Sequence, residues 1–252
     1  MNKWTREETV VAFNVYCKIP FKRCSKTHPM IIKYANILGR SPSALNMKVG
    51  NIGRLDPDLK EQGITGLIHG AKMEEEVWNE FYGNPEYLAY ESERLIAEFA
   101  KQSIEQSSNI AVEDLPQGVE REMIVRQRVN QSFFRSAVMS AYNFQCCISG
   151  VGNPALLEAC HIVDWAKDNK NRINPKNGLC MNPFFHKAYD KHLLTITPDY
   201  TILISEELLQ HTSESLFKTY LKEINGIKIL LPDKFLPQRE LLEIHYNNYK
   251  MI

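Results

Sequence analysis

The stretch 159–190, ACHIVDWAKDNKNRINPKNGLCMNPFFHKAYD, predicts a β-hairpin followed directly by a helix. Apolar residues around His161 are typical of a strand, and the string NGLCM can form a second, short strand. Asn182 is a good N-cap and Pro183 a good first helical residue, so a helix should begin there. His186 and Asp190 stand one turn apart on that helix and share a face. We therefore expect both side chains to project toward the strand that carries His161.

This arrangement contains the side chains needed to hydrolyse a phosphodiester. An imidazole and a carboxylate at the spacing of His186 and Asp190 can hold a divalent cation. A second imidazole, His161, can take a proton from water. Asn177 can hydrogen-bond the base or pin the loop. Taken alone, a His at a strand end is usually an ordinary polar residue, and a His–Asp pair on a helix is usually a surface pair, so the functional interpretation rests on the combination. Four other polar residues are expected at the solvent-exposed surface: Asp164, Asp168, His192 and His211.

The strings LLEACHI and NPKNGLCMNPFFHKAYD resemble the His-Asn-His (HNH) endonucleases, whose active site is a ββα-metal fold. The likeness is closest to a subgroup of restriction endonucleases with an L-E-A-x-H-I motif. The long helix expected ahead of the motif, with QSFFRSAVMSAYNFQCCISG, matches that subgroup, as does the hairpin behind it. The resemblance covers roughly 120–205. The front half, with WTREE and LGRSPSAL, resembles the N-terminal region of the same enzymes.

The resemblance implies a role for each motif residue. His161 takes the place of the general base, and Asn177 that of the residue that holds the loop and orients the base. His186 matches the metal ligand, and Asp190 a further ligand. Cys160 departs from the pattern, because many relatives have an Asp or His there as another ligand, so we expect water to complete the coordination shell. The implied cofactor is a divalent ion, Mg²⁺ first, with Mn²⁺, Ni²⁺ or Zn²⁺ as alternatives. Arg135 of FFRSA is expected to contact a phosphate.

Charge is distributed unevenly along the chain, although the net charge is zero. The segment 17–54 has eight basic side chains and no acidic one, whereas 55–120 has fifteen acidic and four basic side chains. Segregation of this kind is typical of a surface that binds a polyanion. A basic face that is merely solvated is the alternative.

The basic segment also predicts two short helices joined by a turn at Gly39, a helix-turn-helix candidate. Ser41 and Pro42 favour the start of the second helix, which would enter the major groove of DNA. Five residues of this segment are the candidates for contacts to nucleic acid: Arg40, Ser43, Asn46, Lys48 and Arg54. Many small helical domains share this spacing, so a structural role for the pair stays open.

The expected fold class is α+β, with a helical, helix-turn-helix-like DNA-binding domain over 1–105, a linker over 106–118 and a ββα-metal HNH nuclease domain over 119–252. A turn-rich connection is expected over 55–70 and a long helix over 119–142. Behind the motif, LLTITPDYTILIS predicts a hairpin, followed by a helix over 206–224 and a strand over 227–231.

Composition and cysteine usage favour a soluble protein of the cytoplasm. The start, MNKWTREETV, lacks the apolar core of a secretory signal, and no apolar run approaches the ~18 residues that a membrane span needs. The six cysteines form no C-x-x-C pair and are expected to be buried thiols.

The sequence thus predicts a metal-dependent DNA endonuclease of restriction type that acts on double-stranded DNA, without a membrane partner. Since one such site cuts one strand, a homodimer is expected. A DNA-binding regulator with a catalytically inactive HNH fold is the alternative, and the replacement at Cys160 favours it. A nuclease toxin that attacks DNA without sequence preference is a third hypothesis, which the neutral net charge disfavours.

Overall fold

The structure, a computed structural model, describes residues 3–64, 70–111 and 116–251. The chain divides by its internal contacts into two compact units, Met1–Ala141 and Tyr142–Ile252. The first unit is helical, and the second combines short antiparallel strands with helices, so the α+β expectation holds at this level. Within the described ranges, no helix has the length and apolarity needed to cross a membrane.

The first unit is built around one central buried helix. Its helices are α1 (Arg6–Lys18), α2 (Pro29–Ile37), α3 (Pro42–Gly53), α4 (Pro57–Glu61), α5 (Lys72–Phe81), α6 (Pro85–Ala100), α7 (Ile104–Ser107) and α8 (Val119–Ala141). Helix α1 packs against α3, α5, α6 and α8 and is buried from Glu8 through Cys17. The capping box of Thr5 and Glu8 starts this helix as the sequence predicts.

The two helices that the basic segment predicts, α2 and α3, are both present. Gly39 lies in the turn between them with a positive φ of 62°, which glycine adopts without strain. The Ser41 hydroxyl accepts a hydrogen bond from the Ala44 amide at 3.2 Å and caps α3. Three apolar side chains of α3, those of Leu45, Val49 and Ile52, are buried against the rest of the unit.

The second unit, over its described residues 142–251, contains two antiparallel hairpins and four α-helices. Its elements are β1 (Glu158–His161), β2 (Gly178–Met181), α9 (Pro183–Asp190), β3 (Leu194–Ile196), β4 (Ile202–Ile204), α10 (Glu206–Gln210), α11 (Leu216–Ile224) and α12 (Arg239–Tyr249). Strand β1 pairs with β2, and β3 pairs with β4. Helix α9 packs on β1, β2 and β3, whereas α12 packs on β3. The motif hairpin, its following helix and the hairpin behind it therefore form as predicted.

Three local expectations are wrong. The connection predicted over 55–70 contains helix α4, which Asp56 caps through the Asp58 amide; part of that range, 65–69, lies outside the described residues. The single helix predicted over 206–224 is two helices, because Ser215 caps the second one through Lys218 and interrupts the run. The strand predicted over 227–231 is reduced to one isolated bridge, between Thr201 and Lys228.

The predicted domain boundary differs from the division by contacts. Helix α8 packs on α1 and α6, so the compact units divide after Ala141. The linker expected over 106–118 lies within the first unit by this criterion, and its residues 112–115 lie outside the described residues. The assignment of 119–252 to a nuclease domain stays a prediction.

All six cysteines are free thiols. Five of them are buried, and four of these belong to the second unit: Cys146, Cys147, Cys160 and Cys180. The expectation of buried thiols therefore holds, with Cys24 as the half-exposed exception.

Candidate functional site

The site is assembled by β1, β2 and α9. The two strands pair antiparallel with His161 opposite Gly178, so the end of β1 lies beside the start of β2. Helix α9 begins one residue after β2, because the Asn182 side chain accepts a hydrogen bond from the Phe185 amide at 3.0 Å. The same helix carries His186 and Asp190 on one face.

A cleft of about 370 Å³ brings these side chains together within the second unit. His161, His186 and Asp190 all line it, as the sequence predicts. Its further lining comes from the loop after β1 and from α12. Its volume lies in the range of small ligand pockets, so a phosphodiester group fits it.

The imidazole of His161 is held in one orientation by a main-chain hydrogen bond. Its Nε2 lies 2.9 Å from the main-chain carbonyl of Arg172, and since a carbonyl only accepts, Nε2 donates and the lone pair lies on Nδ1. The ring meets Trp165 edge-on, with ring centroids 5.8 Å apart. Burial lowers the pKa of His161 below its ordinary value, which keeps the imidazole neutral and able to accept a proton at neutral pH.

Hydrogen bonds from Asn177 hold the loop that follows His161. Its side-chain oxygen accepts a hydrogen bond from the Val163 amide at 2.9 Å, and its side-chain nitrogen donates to the carbonyls of Val163 and Asn171, at 3.1 and 3.2 Å. The Asn177 carbonyl accepts from the Ile162 amide at 2.9 Å. The residue is fully buried, so these bonds are shielded from water. The geometry suits the loop-holding role that the resemblance implies.

The imidazole of His186 is oriented by a carboxylate that the sequence analysis missed. Nδ1 of His186 lies 2.6 Å from Glu158, and Nε2 lies 3.6 Å from the Asp190 carboxylate. A carboxylate bound to one ring nitrogen fixes the tautomer and directs the other nitrogen toward a metal. Glu158 lies in the quoted string LLEACHI, but its partner is 28 residues away, so no local pattern connects the two.

Cys160 lies with the two expected ligands. Ligand atoms of Cys160, His186 and Asp190 are all within 4.8 Å of one another. The sequence analysis expected water in place of a ligand at this position, whereas the structure brings the thiol to the group. Burial raises the pKa of the Cys160 thiol, and the carboxylates of Asp190 and Glu158 raise it further. A nitrogen, an oxygen and a sulfur donor in one place suit a divalent transition metal, so these residues fit the implied cofactor.

Three lysines that the sequence analysis did not single out line the cleft: Lys167, Lys187 and Lys191. All three are exposed, so their ammonium groups can reach a bound anion. His192 was expected at the surface but is half-buried in the same cleft, with a positive φ of 53°. Lys187 lies on α9 and Lys191 caps its C-terminus, so the spacing of these two lysines beside His186 was the signal available in the sequence.

The basic candidates of the first unit are mostly paired with acids. Lys48 is buried and lies 2.7 Å from Glu74, and the Arg40 guanidinium lies 2.8 Å from Glu8. Arg54 lies 3.0 Å from Glu75. These ion pairs correct the picture of a uniformly available basic face, because acids from neighbouring helices neutralise the three cations just named. Lys48 in particular is buried, so its side chain would have to become exposed before it could contact DNA.

The remaining candidates are more accessible. Ser43 is exposed on α3, and Asn46 is half-buried, with its side-chain oxygen 3.3 Å from the Cys24 thiol. Arg135 is exposed on α8, in the first unit. The contacts of these residues to nucleic acid stay predictions.

Comparison with known proteins agrees with the geometry of the second unit. Residues 146–197 match the HNH endonuclease family. The matched segment contains β1, β2, α9 and β3, and hence His161, Asn177, His186 and Asp190. No curated protein matches the chain. The similarity to the HNH endonuclease family therefore covers 146–197, with the motif hairpin and the helix that follows it, and not the rest of the chain.

Proposed function

We propose that the protein is a metal-dependent DNA endonuclease of restriction type, whose second unit hydrolyses phosphodiester bonds. The observation that carries the proposal is the convergence of His161, His186 and Asp190 on one cleft of about 370 Å³. A neutral imidazole and a set of metal donors that line the same cleft are the two components that hydrolysis of a phosphodiester requires.

In the reaction, His161 acts as general base. Its Nδ1 accepts a proton from the attacking water while Nε2 stays bonded to the Arg172 carbonyl, which keeps the ring in one orientation. The water oxygen attacks phosphorus, the bond to the leaving sugar oxygen breaks, and that oxygen takes a proton from solvent. Asn177 holds the loop that supplies the Arg172 carbonyl and so acts on the base through the backbone.

His186 and Asp190 would hold the divalent cation, with Glu158 orienting the imidazole. The cation, when bound, polarises a phosphoryl oxygen and stabilises negative charge on the leaving oxygen. The hydrogen bond between Glu158 and Nδ1 of His186 leaves Nε2 as the donor toward the cation.

The lysines around the cleft would position the DNA backbone. Lys167, Lys187 and Lys191 place positive charge beside the expected position of the scissile phosphate. Such contacts bind any sequence and weaken as salt rises. These contacts agree with double-stranded DNA as the proposed partner, because the phosphates of both strands lie on the outside of the duplex, where lysines can reach them.

For the first unit we propose a role in reading DNA. The support is the helix pair α2 and α3, with Ser43 and Asn46 on the first turns of the second helix. Recognition helices contact base edges with residues near their N-termini. Arg40, Lys48 and Arg54 would take part only after exchanging their acidic partners for phosphates. Because one site of this kind cuts one strand, a double-strand break implies two copies, and a homodimer is the simplest arrangement.

Nicking of supercoiled plasmid by the full chain, with Mg²⁺, Mn²⁺ or Zn²⁺ added, tests the activity. Loss of a general base costs about 10²–10⁴-fold in rate, so His161→Ala should be slower by that factor. His211→Ala is the matched control, since this exposed imidazole does not line the cleft, and it should cleave like wild type. Equal rates for wild type and His161→Ala would contradict the proposal.

Two further outcomes separate the rival functions. Tight, salt-sensitive DNA binding without cleavage under any metal would identify a DNA-binding regulator with an inactive HNH fold. Sequencing of the cleavage ends on modified and unmodified genomic DNA tests the restriction type: preferred ends support it, whereas random ends indicate a nonspecific toxin.

A further inference from the structure

Cys160 occupies an unusual position for a buried thiol. It is fully buried in β1, opposite Leu179, yet its Sγ belongs to a group of ligand atoms from Cys160, His186 and Asp190 that lie within 4.8 Å of one another. Its Sγ also donates a weak hydrogen bond to the His161 carbonyl at 3.4 Å. A thiol that only filled space would not need to face an imidazole and a carboxylate.

The neighbouring donors are already arranged as ligands. Nε2 of His186 lies 3.6 Å from Asp190 Oδ2. Tetrahedral nitrogen and oxygen ligands at about 2.0–2.2 Å from a metal lie about 3.3–3.6 Å apart, so this pair matches the required span. Glu158 binds the opposite ring nitrogen of His186 and fixes Nε2 toward the group. Asp190 is exposed, and rotation of its side chain can bring the carboxylate nearer to Sγ.

We propose that Cys160 is the third protein ligand of this site, and that the resulting thiolate, imidazole and carboxylate set selects a thiophilic divalent cation of the Zn²⁺ class over Mg²⁺. The inference rests on the proposed function for the site, and it replaces the Mg²⁺ expected from the sequence. Thiolate suits Zn²⁺, whereas Mg²⁺ takes oxygen ligands in octahedral geometry. Three protein ligands leave a fourth position open, as in catalytic zinc sites. On binding, the proton of Cys160 Sγ passes to solvent.

Substitution of the metal by Co²⁺ tests the sulfur ligand directly. The full chain with Co²⁺ should show a near-ultraviolet sulfur-to-cobalt charge-transfer band, which Cys160→Ser should lose. Cys17→Ala is the control, because Cys17 is an equally buried thiol in the first unit, and it should keep the band. A band that persists in Cys160→Ser, or is absent from wild type, would overturn the inference.

X-ray absorption of the Zn²⁺-loaded wild type gives a second measurement that needs no variant. We expect one sulfur at about 2.3 Å with nitrogen and oxygen at about 2.0–2.2 Å. A shell of nitrogen and oxygen alone would refute the sulfur ligand. Competition titration should show that Cys160→Ser binds Zn²⁺ more weakly than wild type and Mg²⁺ equally well. The loss in Zn²⁺ affinity should exceed the roughly 10–100-fold that is typical when a residue that only hydrogen-bonds a ligand is removed. Equal Zn²⁺ affinity would refute it as well.

These readouts separate the inference from the proposed function. Cleavage that depends on Mg²⁺ and His161, without any sulfur coordination, would leave the nuclease intact and remove Cys160 from the ligand set. Sulfur coordination in a protein that never cleaves DNA would keep the metal site and remove the nuclease.

Discussion

Replacement of Asn177 by Asp would exchange the side-chain amino group for an oxygen and weaken the loop that orients His161. The side-chain oxygen that accepts from the Val163 amide would remain. The nitrogen that donates to the carbonyls of Val163 and Asn171 would become an oxygen that cannot donate. Two buried hydrogen bonds are therefore lost, and two pairs of acceptors face each other.

The magnitude follows from these bonds. Each lost bond leaves a buried carbonyl without its donor, which costs about 1–3 kcal/mol, and burial of the new carboxylate adds to this, so the loop should lose at least about 2 kcal/mol of stability against local opening. Because about 1.4 kcal/mol is a factor of ten, amides in 162–174 should exchange with solvent at least about 30-fold faster. Nicking should slow as well, since this loop supplies the Arg172 carbonyl that orients His161.

Hydrogen exchange followed by mass spectrometry measures the effect, with Asn174→Asp as a matched control. Asn174 lies in the same loop, and its side-chain nitrogen donates to the Asn171 side-chain oxygen at 2.9 Å. Its cap on the Lys176 amide survives the change to Asp, so exchange should rise by about fivefold at most. Unchanged exchange in Asn177→Asp, or an equal rise in both variants, would refute the reasoning.

The remaining predictions concern metal affinity and pH. Glu158→Gln should weaken metal binding about 10–100-fold, because it removes the charge that orients His186. Glu207→Gln on α10 is the control and should bind metal like wild type. Equal affinities of the two variants would contradict the orienting role of Glu158. Nicking should fall as pH drops through the pKa of His161, which burial lowers, so the acidic limb should lie below about 6.5; a midpoint above about 7 would contradict the assignment. Burial, reinforced by His192 and Lys167, lowers the pKa of His245 to about 3 in the folded protein. In the unfolded chain the pKa of a histidine is about 6.5, so the unfolded chain binds the proton more readily. The folded state is therefore destabilised as pH falls below about 6.5. In urea unfolding from about pH 7.5 to about pH 5, wild type should lose about 2 kcal/mol more than His245→Gln, and equal losses would contradict this account.

The sequence predicted the elements of the site because their signals are local. The cap at Asn182, the pairing of His186 with Asp190 along one helix face and the hairpin around Pro198 depend on residues within a few positions of one another. The same holds for the capping box of Thr5 in the first unit. Local signals specify helix starts and turns without information about distant partners.

The missed features depend on contacts between segments that are far apart in sequence. Glu158 and Cys160 reach His186 only because α9 folds back onto β1. Lys48 is neutralised by Glu74 from another helix, so counting charges along the chain overstated the basic face. Such pairings follow from the packing of helices and strands, which a charge or motif pattern does not contain.

The central claim is that the base on β1 and the donors on α9 act on one phosphate. Cleavage rates of His161→Ala, His186→Ala and the double variant test this most directly, because residues that act as a unit have non-additive effects. We predict that each single variant is slower by about 10²–10⁴-fold and that the double variant is hardly slower than the slower single one. Losses that multiply in the double variant, or a single variant that cleaves at the wild-type rate, would contradict the account.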